Sequence, residues 1–273
     1  MNIGEIAKGG SSLYFIFLLI SFLASVVGAI CGIGGGVIIK PVLDATGIMG
    51  VSSVSFLSGC TVLSMSVISV FKSMKRGNTS INIKIATPLA VGAAVGGILG
   101  KALFQYAYDI FPNEDKVGAV QAVVLVLITF GTLIYTINVS KIKTHKLQNS
   151  YLCIIIGLLL GLLSAFLGIG GGPINIILLS YFFTMDTKQA AINSLYIIMF
   201  SQFASLISTL VHKNIPDFEP GILVIMVLAG ISGAMVGQKI NKKYTAKDVD
   251  KLFMGLMVII VFINIYNVIK FLL

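Results

Sequence analysis

The sequence predicts an all-α polytopic membrane protein made of two inverted repeats of about five helices each, with one short or broken helix in each half. Of its 273 residues, 57% are hydrophobic and only 11% are charged, whereas soluble domains carry about 25% charged residues. Apolar stretches long enough to cross a bilayer as helices recur along the whole chain. The motif Gly-Ile-Gly-Gly-Gly occurs at 32–36 and again at 168–172, which indicates a duplication.

Eight apolar stretches are clear candidates for membrane spans: 12–31, 52–72, 84–104, 117–139, 150–168, 189–211, 220–238 and 252–271. Two further helices are predicted because residues 147–185 contain no charged side chain and are about twice as long as one span needs. Residues 9–44 likewise contain only Lys40 before Asp44. Each long stretch is predicted to hold a full span, a break at the glycines and a short helix, at 34–48 and 170–184. Their length leaves open whether these short helices cross the membrane.

The distribution of Lys and Arg favours an arrangement in which both short helices cross, giving ten crossings. If neither crosses, the two sides of the membrane receive ten and nine of the 19 basic residues. If both cross, one side collects 13 of the 19, namely Lys72, Lys75, Arg76, Lys84, Lys141, Lys143, Lys146, Lys188, Lys239, Lys242, Lys243, Lys247 and Lys251. Short cytoplasmic loops are enriched in Lys and Arg. We therefore expect these loops to be cytoplasmic, both termini to lie outside, and the protein to reside in the inner (cell) membrane.

The duplication is visible at an offset of 136 residues. Residues 29–43 match residues 165–179 at eight of 15 positions. Five crossings per half is an odd number, so the second half must enter the membrane from the opposite side, as in the inverted repeats of many secondary transporters. The predicted organisation is a first repeat at 1–140, a basic cytoplasmic linker at 141–149 and a second repeat at 150–273.

The two glycine-rich breaks are the predicted substrate-binding site. Successive glycines permit positive φ and leave backbone N–H groups free at the start of the following helix. The positive end of that helix dipole suits an anion, and unwound backbone is tolerated at membrane depth where it lines a cavity. The alternative is that the glycines only allow helices to pack closely. The glycines assigned to the site are Gly32, Gly34, Gly35, Gly36, Gly168, Gly170, Gly171 and Gly172.

Lys40 is a candidate anion ligand because it lies about one turn after Gly36 on the first short helix. An intramembrane cation usually faces a cavity or a partner. The alternatives are that Lys40 snorkels to the interface or pairs with Asp44, four residues along. Lys101 is a second basic residue that falls within a predicted span.

Four polar residues near the breaks are further candidates for binding the substrate. Asn175 lies on the first turn after Pro173, a residue that suits a first helical position. Ser58, Asn193 and Ser194 belong to helices rich in hydroxyls and amides, which can replace water around an anion. The same residue types also join helices to one another in lipid.

Taken together, the paired GxGGG breaks, each followed by a short apolar helix and a helix of small polar residues, resemble those of the TauE/SafE sulfite-exporter-type permeases. The resemblance covers essentially the whole chain, including the basic loop at 141–146 and the glycine-spaced helices at Gly92-Gly96-Gly100 and Gly233-Gly237. It implies transport of a small sulfur-containing or organic anion, such as sulfite or a sulfonate. We expect alternating access in which one half rocks against the other.

Other functional classes find little support in the sequence. It offers no nucleophile with a base, no paired carboxylates and no Cys/His spacing, so we expect neither an enzyme nor a metal or other cofactor. The basic residues are dispersed, which argues against nucleic acid. The expected partners are the lipid bilayer and a small anionic solute, and Gly-x-x-x-Gly faces could serve a homodimer. The alternative function is a membrane-embedded scaffold or assembly subunit without transport.

Overall fold

The structure, a computed structural model, describes residues 10–75, 81–111 and 113–273. These residues form ten α-helices and one 3₁₀ turn at Val139–Lys141: α1 (Gly10–Cys31), α2 (Gly36–Thr46), α3 (Val51–Lys75), α4 (Ile83–Ile110), α5 (Glu114–Asn138), α6 (Ser150–Phe166), α7 (Pro173–Phe183), α8 (Thr187–Val211), α9 (Pro220–Asn241) and α10 (Ala246–Leu272). The predicted all-α fold is confirmed, and a helix occupies each of the ten predicted stretches. Arg76, which was counted with the basic loops, lies outside the described residues.

Seven of the described helices are long and apolar enough to cross a membrane, namely α1, α3, α4, α5, α8, α9 and α10. Large apolar side chains such as Leu127, Phe203 and Phe262 are exposed on their outer faces, as lipid contact requires. The helix α6 has 17 residues, and α2 and α7 have 11 each. At 1.5 Å per residue an 11-residue helix is about 17 Å long, roughly half the thickness of the hydrocarbon core. A short helix therefore needs the adjoining loops to complete a crossing.

Local sequence sets several of the helix starts. The side chains of Asn113, Asn149 and Asp186 each accept a hydrogen bond from a backbone N–H of the first turn, all at 2.9 Å. Thr245 begins α10 with a capping box. Pro173 opens α7 as the sequence predicts, because its missing N–H is harmless at a first helical position.

The helix ends gather at two opposite ends of the bundle. At the end that we call the vestibule end, one cavity is lined by the ends of α2, α4 and α10, the starts of α3 and α5, and the loop that connects α8 to α9. At the other, the basic end, the start of α4 contacts α8, the ends of α9 and α3 are hydrogen-bonded, and the start of α8 contacts the start of α10. The described helices thus run alternately between the two ends, except that α1 and α2, like α6 and α7, meet inside the bundle at a glycine-rich break. The assignment of these ends to the two sides of a membrane stays a prediction.

Two seams of close helix packing lock the bundle together. Along the first, α4 lies on α6 so closely that a Cβ on Gly161 would overlap the carbonyl oxygen of Ala93, and one on Gly96 would overlap that of Leu158. Along the second, α9 lies on α1, and a Cβ on Gly233 would lie 2.5 Å from the carbonyl oxygen of Phe22. Each seam joins one helix from each predicted repeat. The helices α9 and α1 are the repeat equivalents of α4 and α6, so the two seams are equivalent. The two repeats therefore interlock rather than sit side by side.

An apolar cluster fills the part of the bundle towards the basic end. Its buried members come from α1, α3, α4, α8 and α9 and include Val70, Ile81, Ala86, Leu195 and Ala234. Burying this surface together stabilises the contacts between the ends of α1, α3 and α9 and the starts of α4 and α8. The described bundle thus has an apolar cluster towards the basic end and a cavity at the vestibule end.

Replacing Gly161 with Val is expected to destabilise the bundle, because the new side chain overlaps the backbone of Ala93. Overpacking of this kind destabilises proteins by about 1–3 kcal/mol or more, which should lower the melting temperature of the purified protein in detergent. Gly131→Val is the matched control, since nothing lies within 4 Å of a Cβ at Gly131. Equal melting temperatures for the two variants would contradict the close α4–α6 seam.

Candidate functional site

The two glycine-rich segments break the helical path of the chain. The first connects α1 to α2, and its Gly32 and Gly34 have φ of 73° and 74°. The second connects α6 to α7, and its Gly168 and Gly170 have φ of 65° and 70°, followed by Gly171 at 129°. Such values belong to the left-handed region, which side chains with a Cβ rarely adopt. The conformation of both breaks therefore depends on glycine at these positions.

The fold brings the two breaks into backbone contact at the centre of the bundle. A Cβ added to Gly36 would overlap the carbonyl oxygen of Ile169 in the other break. A Cβ added to Gly34 would lie 3.6 Å from the carbonyl oxygen of Gly170. The glycines that the sequence assigns to one site thus lie together, although they are 136 positions apart in the chain.

The helices α3 and α8 form matching walls around the breaks. Ser55 on α3 lies against Gly168, and Ala191 on α8 lies against Gly32. Ser55 and Ala191 occupy equivalent positions at the repeat offset of 136 residues. Val62 on α3 and its equivalent Ile198 on α8 both reach the breaks as well. The two walls therefore contact the breaks in the corresponding way from opposite sides.

Several buried polar atoms beside the breaks have no hydrogen-bond partner. The hydroxyl oxygen of Ser58 is one of them; it is fully buried and lies 2.9 Å from the position of a Cβ on Gly36. The amide of Asn175 donates to the Ser194 hydroxyl at 3.3 Å, but its side-chain oxygen is unpartnered. Buried polar groups are nearly always paired in proteins. Unpaired groups clustered at one point indicate a place where water or a ligand completes the hydrogen bonding.

The start of α2 also presents a weakly held backbone donor. The N–H of Gly35, at the N-terminus of this helix, donates to the thioether sulfur of Met65 at 3.1 Å. Thioether sulfur is a weak acceptor, so an anion could replace it with little loss. The N-terminus of α2 therefore keeps the anion-attracting character expected of a helix start.

Lys40 lies elsewhere on α2 and does not project a free charge. Its ammonium group forms an ion pair of 2.7 Å with Asp44, and the two residues are 2% and 7% exposed. This is the alternative that the four-residue spacing suggested. The C-terminal carbonyls of α2 are satisfied by α10, since Asn267 donates to Pro41 and Lys270 donates to the carbonyl of Asp44. The Lys40–Asp44 ion pair therefore carries no net charge and is part of the contacts that hold α2 in place.

Asn193, like Lys40, has its side chain in a contact away from the breaks. Its oxygen accepts from the backbone N–H of Asn82 at 3.0 Å, and its amide donates to the carbonyl of Gln189 at 2.7 Å. Asn82 is the residue before α4, so Asn193 ties the start of that helix to α8. The neighbouring Ser194 instead contacts Asn175 beside the second break.

A wide cavity opens at the vestibule end. Its volume is about 870 Å³, and Asp44, Gln105, Tyr108 and Lys270 are among its lining residues. Four further carboxylates, from Glu114, Asp115, Asp217 and Glu219, also line it. The vestibule is therefore acidic. The sequence did not point to it, because its walls come from segments that are far apart in the chain.

A smaller cavity of about 30 Å³ lies between the vestibule and the second break. Lys101, Ser55, Gln202 and Gly168 are among its lining residues. Sequence alone indicated that Lys101 is within a span but gave no reason to link it to Ser55 or to the second break. Among the described residues no group of three His, Cys, Asp or Glu side chains is arranged to hold a metal ion.

Replacing Asp44 with Asn is expected to destabilise the protein, because it leaves the buried Lys40 charge without a partner. Breaking one side of a buried ion pair typically destabilises a protein by about 3–5 kcal/mol, so the melting temperature in detergent should fall. The double replacement Lys40→Met with Asp44→Leu removes both charges and should recover most of that loss. An unchanged melting temperature for Asp44→Asn would contradict the ion pair.

Comparisons with known proteins agree with the resemblance found in the breaks. A family model described as sulfite exporter TauE/SafE matches residues 17–264. A probable membrane transporter protein of Methanocaldococcus jannaschii is 26% identical in an alignment 252 residues long, and the match covers 85% of this chain and 88% of that protein. No solved structure matches the chain. The chain therefore belongs to the TauE/SafE sulfite exporter family and is a multi-pass membrane transporter.

Proposed function

We propose that this transporter moves a small anion, such as sulfite, a sulfonate or a related organic anion, through the point where the two glycine-rich breaks meet. The observation that carries the proposal is the cluster of unpaired hydrogen-bonding groups at that point. Ser58 contributes a buried hydroxyl without a partner, Gly35 a backbone N–H held by a weak acceptor, and Asn175 an amide nitrogen whose bond to Ser194 is a long 3.3 Å. Neutral donors can take over the hydration of an anion without binding it too tightly to leave.

The proposed orientation places the basic end in the cytoplasm and the vestibule outside. It is supported by the 13 basic residues that the ten-crossing arrangement assigns to one side, because cytoplasmic loops are enriched in Lys and Arg. With a negative cell interior, each unit of negative charge that leaves gains about 2.3 kcal/mol per 100 mV. Export of an anion therefore needs no coupled carboxylate relay.

For alternating access, we propose moving bodies that differ from the two sequence repeats. The close α4–α6 and α1–α9 seams each join the repeats, so rocking one whole repeat against the other would break both seams. The helices α4, α6 and α8 pack as one group, and α1, α3 and α9 pack as its counterpart. These two groups meet along α3 and α8, where the breaks lie. Rocking one group against the other would open and close the site while leaving both seams intact.

The alternative function, a scaffold or assembly subunit without transport, makes a different use of the same glycines. In that case the breaks would serve packing, and no solute would need the unpaired groups beside them. A folded protein that binds no solute and co-purifies with a partner protein would favour the scaffold.

The direct test is flux of radiolabelled sulfite in liposomes that contain the purified protein under an imposed membrane potential. We expect saturable sulfite flux that carries charge and grows with a potential that favours anion exit, with sulfoacetate and a neutral solute as comparisons. Because the proposed substrate is an anion, the neutral solute should stay at the rate of protein-free liposomes. Folded protein that moves none of the anions would overturn the proposal.

The central position of the breaks is tested by Gly35→Leu and Gly171→Leu, which put bulk into the site and should reduce flux to background. Gly171 has a positive φ, so Leu at this position also strains the backbone. The control is Gly255→Leu, because nothing lies within 4 Å of a Cβ there. All three variants should insert in the membrane, and only the control should transport.

A milder test removes a single hydroxyl. Ser58→Ala should raise the substrate concentration for half-maximal flux several-fold without lowering the melting temperature, because the hydroxyl has no partner in the protein. Ser21→Ala, which removes an equally buried and unpartnered hydroxyl from α1, should leave transport unchanged. Identical transport by both Ser variants would remove Ser58 from the site.

A further inference from the structure

Lys101 lies within the membrane-crossing part of α4. The midpoint of Ile83–Ile110 falls between residues 96 and 97, so Lys101 is about 7 Å from it along the helix at 1.5 Å per residue. The hydrocarbon core extends about 15 Å on each side of its own midplane. A lysine at this position is therefore attached inside the apolar layer, where a charged group is expensive unless something compensates it.

The described residues provide no carboxylate partner for this lysine. Its ammonium group lies 4.8 Å from the ring centre of Phe104, one turn further along α4. Among the described residues the buried ion pair is that of Lys40 with Asp44, which does not involve Lys101. A cation–π contact is weaker than a buried ion pair and leaves the net positive charge in place. Lys101 therefore differs from Lys40 in keeping its charge free for another partner.

The cavity around Lys101 presents further groups that suit an oxyanion. Ser55, 7% exposed, has a hydroxyl without a hydrogen-bond partner and lies 2.6 Å from the position of a Cβ on Gly168. Gln202 lines the same cavity, and its amide nitrogen donates to Ser164 at a long 3.4 Å. A cation, a free hydroxyl and an amide thus surround one space beside the second break.

This cavity lies one helical turn inside the vestibule. On α3 the vestibule is lined by Ser52 and Ser53, and the cavity begins at Ser55. On α4 the vestibule is lined by Gln105, and the cavity by Lys101 four residues earlier. The order along the bundle is therefore vestibule, Lys101 cavity and second break. An anion that passes between the breaks and the vestibule has to come close to the Lys101 charge.

The second repeat has no such cation. At the offset that aligns the glycines of α4 and α9, the equivalent of Lys101 is Gln238, whose amide donates to the carbonyl of Ser69 at 2.7 Å. The equivalents of Ser55 and Gly59 are Ala191 and Leu195, both buried apolar residues. A purely structural role shared by the two repeats would not require a charge in one of them alone.

We propose that Lys101, with Ser55, forms a binding site for a small oxyanion between the vestibule and the second break. The inference rests on the proposed function and assigns the residue that supplies positive charge to the transported anion. The cavity of about 30 Å³ holds only about one or two water molecules, so the structure corresponds to a closed state of this site. Phe104, three residues beyond Lys101 towards the vestibule, and Phe56, whose ring lies 5.1 Å from that of Phe218 in the vestibule wall, also line this cavity.

The test compares Lys101→Met, Lys101→Arg and Ser55→Ala with Lys84→Met, which removes an exposed lysine from the start of the same helix. Each protein is assayed for sulfite flux in liposomes over a range of sulfite concentrations, and for the rise in melting temperature that sulfite produces in detergent. We expect Lys101→Met to lose at least ten-fold in flux at low sulfite and to lose the sulfite-induced stabilisation. Lys101→Arg should keep a large part of both, and Ser55→Ala should raise the half-maximal concentration several-fold.

These measurements separate failure of the inference from failure of the proposed function. If the unmodified protein moves sulfite and Lys101→Met has the same half-maximal concentration and the same stabilisation by sulfite, the Lys101 site is wrong while anion transport stands. If the unmodified protein is folded and moves no anion, the proposed function fails, and the inference falls with it. Without sulfite, Lys101→Met should melt no lower than the unmodified protein, since it removes an unpaired buried charge. A loss of flux that accompanies a large fall in this melting temperature, with Lys101→Arg and Ser55→Ala unaffected in transport, would also overturn the inference.

Discussion

The whole structure depends on covering two stretches of unwound backbone inside the membrane. Irregular backbone leaves N–H and C=O groups without helical partners, and such groups are tolerated at membrane depth only where protein or a water-filled cavity surrounds them. Here each break covers the other, since Gly36 contacts the carbonyl of Ile169 directly. The helices α3 and α8 close the remaining sides with small or slender side chains. The same arrangement that satisfies this constraint creates a central point lined by backbone and hydroxyl groups.

Close contact of the breaks requires the flanking helices to approach one another closely. The seams of α4 on α6 and of α9 on α1 achieve this through glycine, because no Cβ separates the two backbones. Each seam ties a helix of the first repeat to a helix of the second, so the repeats cannot move as separate bodies without losing both. The glycines of the seams fix the scaffold, and those of the breaks form its centre. The proposed motion is placed at the main remaining contact between the two groups of helices, that of α3 with α8.

Much of this fold could be predicted from the sequence because the relevant signals are local or repeated. Span length located the helices, and the glycines together with Pro173 located the breaks and the start of α7. The residues that sequence could not assign depend on contacts between distant segments. Asn193 carries the polar side chain expected near a site, yet it binds the start of α4. Lys101 and Ser55 belong to different helices, and nothing in their spacing indicates that one cavity includes both.

The two repeats share one scaffold, but the side chains on the two sides of the breaks differ. Equivalent positions such as Val62 and Ile198 contact the breaks from both sides, so the scaffold around the breaks is nearly the same in the two repeats. The filling of the two sides differs, because the side towards the basic end holds an apolar cluster and the other side holds an acidic vestibule and the Lys101 charge. Carboxylates in the vestibule repel an anion, and a cation one turn deeper attracts it. Under the proposed function, an anion that crosses from the breaks would meet an attractive charge first and a repulsive surface afterwards, which would favour its release at the vestibule end.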